Sequence, residues 1–221
     1  MSVTGSEVSR ENAIRNRLKT PRAAAVAGML FSVLLITSQV LVWISIPPSV
    51  GEAASEVLSQ PRKISLALNL LPFAGIAFLW FIAVVRDRLG AMEDRFFATV
   101  FLGSGLLYIA MTFTSAALAG GLIRVLSSSP EILGHTGAYA LSRAQIYQTM
   151  NIYGIKMAGV FMFSTSTILL RTGVVRRWVP FLGYALGLAL LLSIGIVVWI
   201  PLVFPLWVFL VSTAILLEKL P

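Results

Sequence analysis

The chain has 221 residues, 57% hydrophobic and 12% charged, with a formal net charge of +8, no cysteine and one histidine. Zero cysteines exclude disulfides, thiolate metal sites and cysteine nucleophiles, and a lone histidine excludes a His-rich metal centre. The basic excess flanks long uncharged blocks and accompanies no nucleic-acid-binding motif, so it reads as membrane topology rather than nucleic-acid contact.

The N-terminal segment, residues 1–22, is polar and carries five basic residues from Arg10 to Arg22. Uncharged blocks then follow at Ala23–Gly51, Ile64–Val85, Phe96–Ile123 and Trp178–Leu217, and Ala144–Leu170 holds a single charge, Lys156. About 20 apolar residues cross a hydrocarbon core as helix, and backbone groups in lipid must be satisfied within their own segment. Strand-like alternation is absent, which argues against a β-barrel. Ala23–Ile46 is too long for a signal-peptide core and no convincing cleavage site follows it, so it reads as an uncleaved first span. The last block is 40 residues long and divides at Pro201 and Pro205, residues suited to a turn or a helix's first turn. The pattern predicts an all-α, six-helix transmembrane bundle over 23–217, with spans at about 23–46, 64–85, 96–123, 151–170, 178–198 and 200–217 and a short tail at 218–221.

Lys and Arg in short loops set orientation. Twelve flank one side (the N-terminal segment, the 86–95 loop, the 171–177 loop and Lys219) against four on the other, Arg62, Lys63, Arg124 and Arg143. Both termini are therefore expected in the cytoplasm. Trp43, Trp80, Trp178, Trp199 and Trp207 all fall at predicted helix ends, where interfacial tryptophans belong. The outer loops, Pro47–Lys63 and Arg124–Gln148, are too short for a separate folded domain.

Lys156 is the one charge inside a span, and intramembrane charges mark functional sites by default. Its predicted depth, roughly 7–8 Å from the outer end at 1.5 Å per residue, is also within reach of a snorkelling lysine. Gln39, Asn69, Thr112, Thr114, Ser115 and Ser193 fall at similar depth. Together they predict a polar layer beneath the outer surface, either a binding pocket or a set of interhelical hydrogen bonds worth about 0.6 kcal/mol each. Pro72 is expected to interrupt the bonding of helix two. Gly183 and Gly187 form a GxxxG pair, echoed by Ala116 with Gly120 and Ala117 with Gly121, which points to close internal helix packing.

Between helices two and three lies a charge cluster, Arg86-Asp87-Arg88-Leu89-Gly90 followed by Glu93-Asp94-Arg95. Asp87-Arg88-x-Gly90 resembles the core of the loop motif of major facilitator transporters. Ala83 stands where that motif has glycine, Ala91 and Met92 replace its trailing basic pair, and six helices are half of that fold. Local pairing of alternating charges in a solvated turn is the simpler reading.

No HExxH, GxSxG, P-loop or GxGxxG motif occurs, no Asp or Glu lies within a span, and His135 sits between glycines in a loop. The chain is accordingly expected not to be an enzyme and to need no cofactor or metal. The stretches Leu71-Pro72-Phe73-Ala74-Gly75-Ile76-Ala77-Phe78-Leu79-Trp80-Phe81 and Glu93-Asp94-Arg95-Phe96-Phe97-Ala98-Thr99-Val100-Phe101-Leu102-Gly103-Ser104-Gly105 resemble a group of small bacterial multi-pass inner-membrane proteins. The resemblance implies a bacterial cytoplasmic membrane location and carries no activity or site with it. The role expected is a non-enzymatic accessory subunit or binding component, working in the lipid bilayer with a membrane-protein partner or a second copy of the chain. The alternative is a small-solute or ion transporter that uses the outer polar layer.

Overall fold

The computed structural model describes residues 23–42, 61–89, 95–129, 137–173, 175–193 and 199–217. These residues form helices and no strand. In chain order they are α1 (Ala23–Val42), α2 (Pro61–Leu89), α3 (Arg95–Ser128), α4 (Ala138–Thr172), α5 (Trp178–Leu192) and α6 (Val203–Leu217), the last entered through a 3-10 turn at Ile200–Leu202. Five of the helical segments are long and apolar enough to cross a membrane, as an integral membrane protein requires. The exception is α5, whose 15 residues span only about 22 Å against a hydrocarbon core of roughly 30 Å.

Successive helices run antiparallel. Ser38 near the end of α1 bonds to Ala67 near the start of α2, while Gly28 packs against Phe81 further along. Gly75 of α2 meets Phe113 of α3, and Gly105 meets Ile82. Ser115 of α3 bonds to Ile146 of α4, and Gly105 also touches Phe161. Thr167 of α4 bonds to Tyr184 of α5, and Lys156 to Leu190.

The centre of the bundle is aromatic. Phe78 stacks on Phe31 at 4.4 Å, with Phe161 at 5.1 Å and Phe204 edge-on at 5.6 Å. Tyr108 approaches Phe204 at 4.5 Å, and Phe101 stacks on Phe161 at 4.7 Å. All of these rings are buried. Each such pair contributes about 0.5–1.5 kcal/mol beyond area burial, so rings drawn from α1, α2, α3, α4 and α6 tie the bundle together at one level.

Where α4 crosses α5, backbones touch. A Cβ at Gly159 would lie 2.9 Å from the Gly187 carbonyl oxygen, and one at Gly187 would lie 3.1 Å from the Gly159 carbonyl oxygen. The GxxxG pair is therefore spent on internal packing, with Gly183 lying under Trp207 of α6. This corrects one expectation: Trp207 is a core residue at 2% exposure, because Gly183 opposite it has no side chain to fill the space. Trp80, Trp178 and Trp199 are exposed. Trp43 lies outside the described residues.

Helix boundaries also shift. The fourth helix begins at Ala138 rather than near Asn151, since nothing from Ala138 to Tyr153 is Gly or Pro. It contains a π-helical segment at Thr149–Gly154. The fifth stops at Leu192 rather than Val198, Ser193 being extended at φ −62°, ψ 136°. The second runs through Pro72 unbroken as a helical element.

Replacing Gly159 by Ala forces the α4–α5 backbones apart and is expected to cost about 1–3 kcal/mol. Gly121→Ala, on open surface with nothing within 4 Å of the new methyl, is expected to gain up to about 1 kcal/mol through helix propensity. Unfolding of both variants in mixed detergent micelles checks the contrast.

Candidate functional site

A cavity of about 720 Å³ opens at the end of the bundle where α1 finishes and α2 begins. α1 contributes Ser38, Gln39 and Val42, and α2 contributes Leu68 and Leu71. α3 supplies Thr112, Ser115, Ala116 and Ala119. The first turns of α4 add Tyr139, Arg143, Ile146 and Tyr147, its π-helical segment adds Met150 and Asn151, and Pro201 closes the side toward α6. The cavity separates two apolar clusters. The main core reaches it through Leu71, Ala116 and Met150, and a smaller one (Ile64, Leu122, Leu126, Tyr139) through Leu68, Ile146 and Tyr139 itself.

The wall is graded. Ser38, Gln39, Thr112 and Ser115 are buried, whereas Ala140, Ala144, Tyr147 and Gln148 are exposed, so the cavity opens past the first turns of α4. Further along the same helices, inward of Leu71 and Thr112, lies the aromatic cluster around Phe78 and Tyr108.

Most buried wall polars are already paired. Ser38 Oγ donates to the Ala67 carbonyl at 2.7 Å and Ser115 Oγ to the Ile146 carbonyl at 3.3 Å, each joining two helices. Thr112 Oγ1 donates to the Tyr108 carbonyl at 2.9 Å within its own helix. Gln39 differs: its side chain is 9% exposed, and both Nε2 and Oε1 are buried with no hydrogen-bond partner among the described residues. An unmet buried polar group costs about 1–3 kcal/mol, so this amide needs a reason to persist.

The π-helical segment strengthens the assignment. Such segments are rare and concentrate at functional sites, because the extra residue re-aims the side chains around it. Here Met150 and Asn151, both inside it, face the cavity.

Of the predicted polar layer, Gln39, Thr112 and Ser115 come together in this wall. Lys156 does not. It turns toward α5, where Nζ donates to the carbonyls of Leu191, Ser193 (2.6 Å) and, at 3.4 Å, Leu190. An ammonium has three donors, and these contacts use all of them on the C-terminal end of a helix that stops short of the bilayer thickness. Cation and helix dipole also attract there. Ser193 joins the same cap, its Oγ donating to the Leu190 carbonyl at 2.8 Å. Asn69 is exposed and donates to Ser65 Oγ at 3.2 Å, and Thr114 is exposed and donates to the carbonyl of Ala110.

In the second-loop cluster, Arg86 is exposed on α2. The side chains of Asp87, Arg88 and Arg95, and all of Glu93 and Asp94, lie outside the described residues, as does His135. Among the described residues no group of His, Cys, Asp or Glu is arranged to hold a metal ion. Sequence reasoning missed Arg143, Tyr147 and Asn151. Their signal is helical spacing, since Tyr139, Arg143, Tyr147 and Asn151 recur every fourth residue and share a face. Comparison with protein-family models, curated proteins and solved structures returns no match.

Gln39→Leu removes the unpaired amide at similar volume and is expected to raise the stability of the ligand-free protein by about 1–3 kcal/mol. Lys156→Met strips the α5 cap and is expected to cost about 1.5–3 kcal/mol, the worth of hydrogen bonds to a charged group. Denaturant midpoints of the two variants should move in opposite directions.

Proposed function

We propose that this protein is a non-enzymatic binding component of a bacterial cytoplasmic membrane, holding a small amphiphilic molecule in the cavity beside Gln39. Lys and Arg asymmetry supports a bundle with both termini in the cytoplasm, which puts the cavity at the outer face. The observation that carries the reading is the pairing of a 720 Å³ cavity with a buried, unpartnered amide in its wall. That volume is in the range of pockets that take drug-sized ligands, and a mostly apolar wall with a few polar groups suits one.

The transporter alternative is less well supported. A conducting path would have to pass the aromatic cluster of Phe31, Phe78, Phe161 and Phe204, which is buried and close-packed. Lys156, the charge that argued most for ion coupling, is occupied at the end of α5. An accessory role beside a larger membrane complex fits the same geometry, with the bundle presenting its bound amphiphile to a partner.

Native mass spectrometry tests this. Protein extracted in mild detergent is expected to retain an amphiphile, and Ala116→Phe, which fills the cavity from α3, is expected to keep its melting temperature and lose the adduct. Absence of an adduct from the parent protein, or its retention in a folded Ala116→Phe variant, contradicts the reading.

A further inference from the structure

The charge and register of the wall narrow the ligand class, given the binding reading above. Among the described residues Arg143 is the one charged side chain lining the cavity, and no carboxylate lines it. Arg143 is half-buried and engaged within the protein as well, but a guanidinium carries five N–H donors and can add a ligand oxygen to its contacts.

Helix register places Gln39 and Arg143 at one level. Ser38 bonds to Ala67, and the next residue on α2, Leu68, lies against Gly120 of α3. Ser115 bonds to Ile146, so five residues along these antiparallel helices Gly120 sits opposite the turn that holds Arg143. The two polar groups therefore flank the cavity from α1 and α4. Deeper in, the wall is Leu71, Ala116 and Met150.

We infer that the cavity binds a single-chain anionic amphiphile, its carboxylate or phosphate held between the Arg143 guanidinium and the Gln39 amide and its tail lying on Leu71, Ala116 and Met150. The anion accepts from Gln39 Nε2 and from the guanidinium, a charge-assisted geometry that orients the head. A hydroxyl beside the anion would donate to Gln39 Oε1 and meet the other half of the amide. A two-chain phospholipid is too large for the volume, and a cationic head would face Arg143 with no acidic partner in the described wall.

The experiment uses the full chain in nanodiscs of neutral phosphatidylcholine, with four photoreactive probes of equal chain length: a fatty acid, a lysophosphatidic acid, a fatty alcohol and a fatty amine. The two anionic probes are expected to label the cavity wall of α4 about tenfold or more above the alcohol and amine. Arg143→Gln is expected to remove that preference and Arg143→Lys to restore most of it. Stronger labelling by one anionic probe distinguishes phosphate from carboxylate within the class. Equal labelling of the wall by all four probes overturns the anion assignment while leaving the cavity as a binding site. No labelling of the wall by any probe, with the protein folded, overturns both.

Discussion

Peptide groups held away from water must find partners within the protein, and in lipid that means within their own helix. This constraint makes every apolar block of the chain helical. Among the described residues it also identifies a helix end that takes donors from a neighbouring helix. α5 ends at Leu192, short of the bilayer thickness, and its last carbonyls have no intrahelical donor. Lys156 of the neighbouring helix supplies three donors there, and the glycine contact between α4 and α5 brings the two backbones close enough for it to reach. The one charge within the predicted spans thus caps a helix end.

Among the residues of the predicted polar layer the same accounting singles out Gln39, while Tyr108, Ser166, Trp207 and Ser212 hold unpartnered buried atoms elsewhere in the core. Ser38, Thr112, Ser115 and Ser193 all bond to backbone carbonyls, as polar groups near or within a bilayer should. Gln39 alone among the candidate layer is buried without a partner among the described residues. It sits where two apolar clusters fail to meet and where α4 takes a π-helical turn. A packing defect, a helix irregularity and an unmet amide coincide, and a ligand that hydrogen-bonds the amide and fills the space accounts for all three.

Depth was only partly legible in the sequence and azimuth was not: because α4 starts at Ala138, Lys156 lies 18 residues, about 27 Å, into its helix rather than five. Counting along apolar blocks put Gln39, Asn69, Thr112, Ser115, Lys156 and Ser193 in one layer, but each residue turns the helix by about 100°. Asn69 consequently faces outward although Leu71, two residues on, lines the cavity. In α1 the azimuth did leave a trace: Gly28, Phe31, Leu35 and Ser38 are buried at steps of three and four, with Ser32 and Gln39 beside them. The end of α5 left none. Leu191-Leu192-Ser193 contains no helix breaker, and the helix end is met by a residue 37 positions upstream of Ser193. The early start of α4 was obscured for a different reason: its first turns are polar enough to read as loop, yet hold no breaker.

The central claim is that every polar group of this layer is satisfied by the protein except Gln39, which is satisfied by a ligand. Electron cryomicroscopy of the full chain in nanodiscs of native lipid tests it most directly. The account predicts density that is not protein within hydrogen-bond distance of the Gln39 amide, running inward along Leu71 and Met150. A Gln39 amide bonded to another protein group, with the cavity closed around it, would contradict the account.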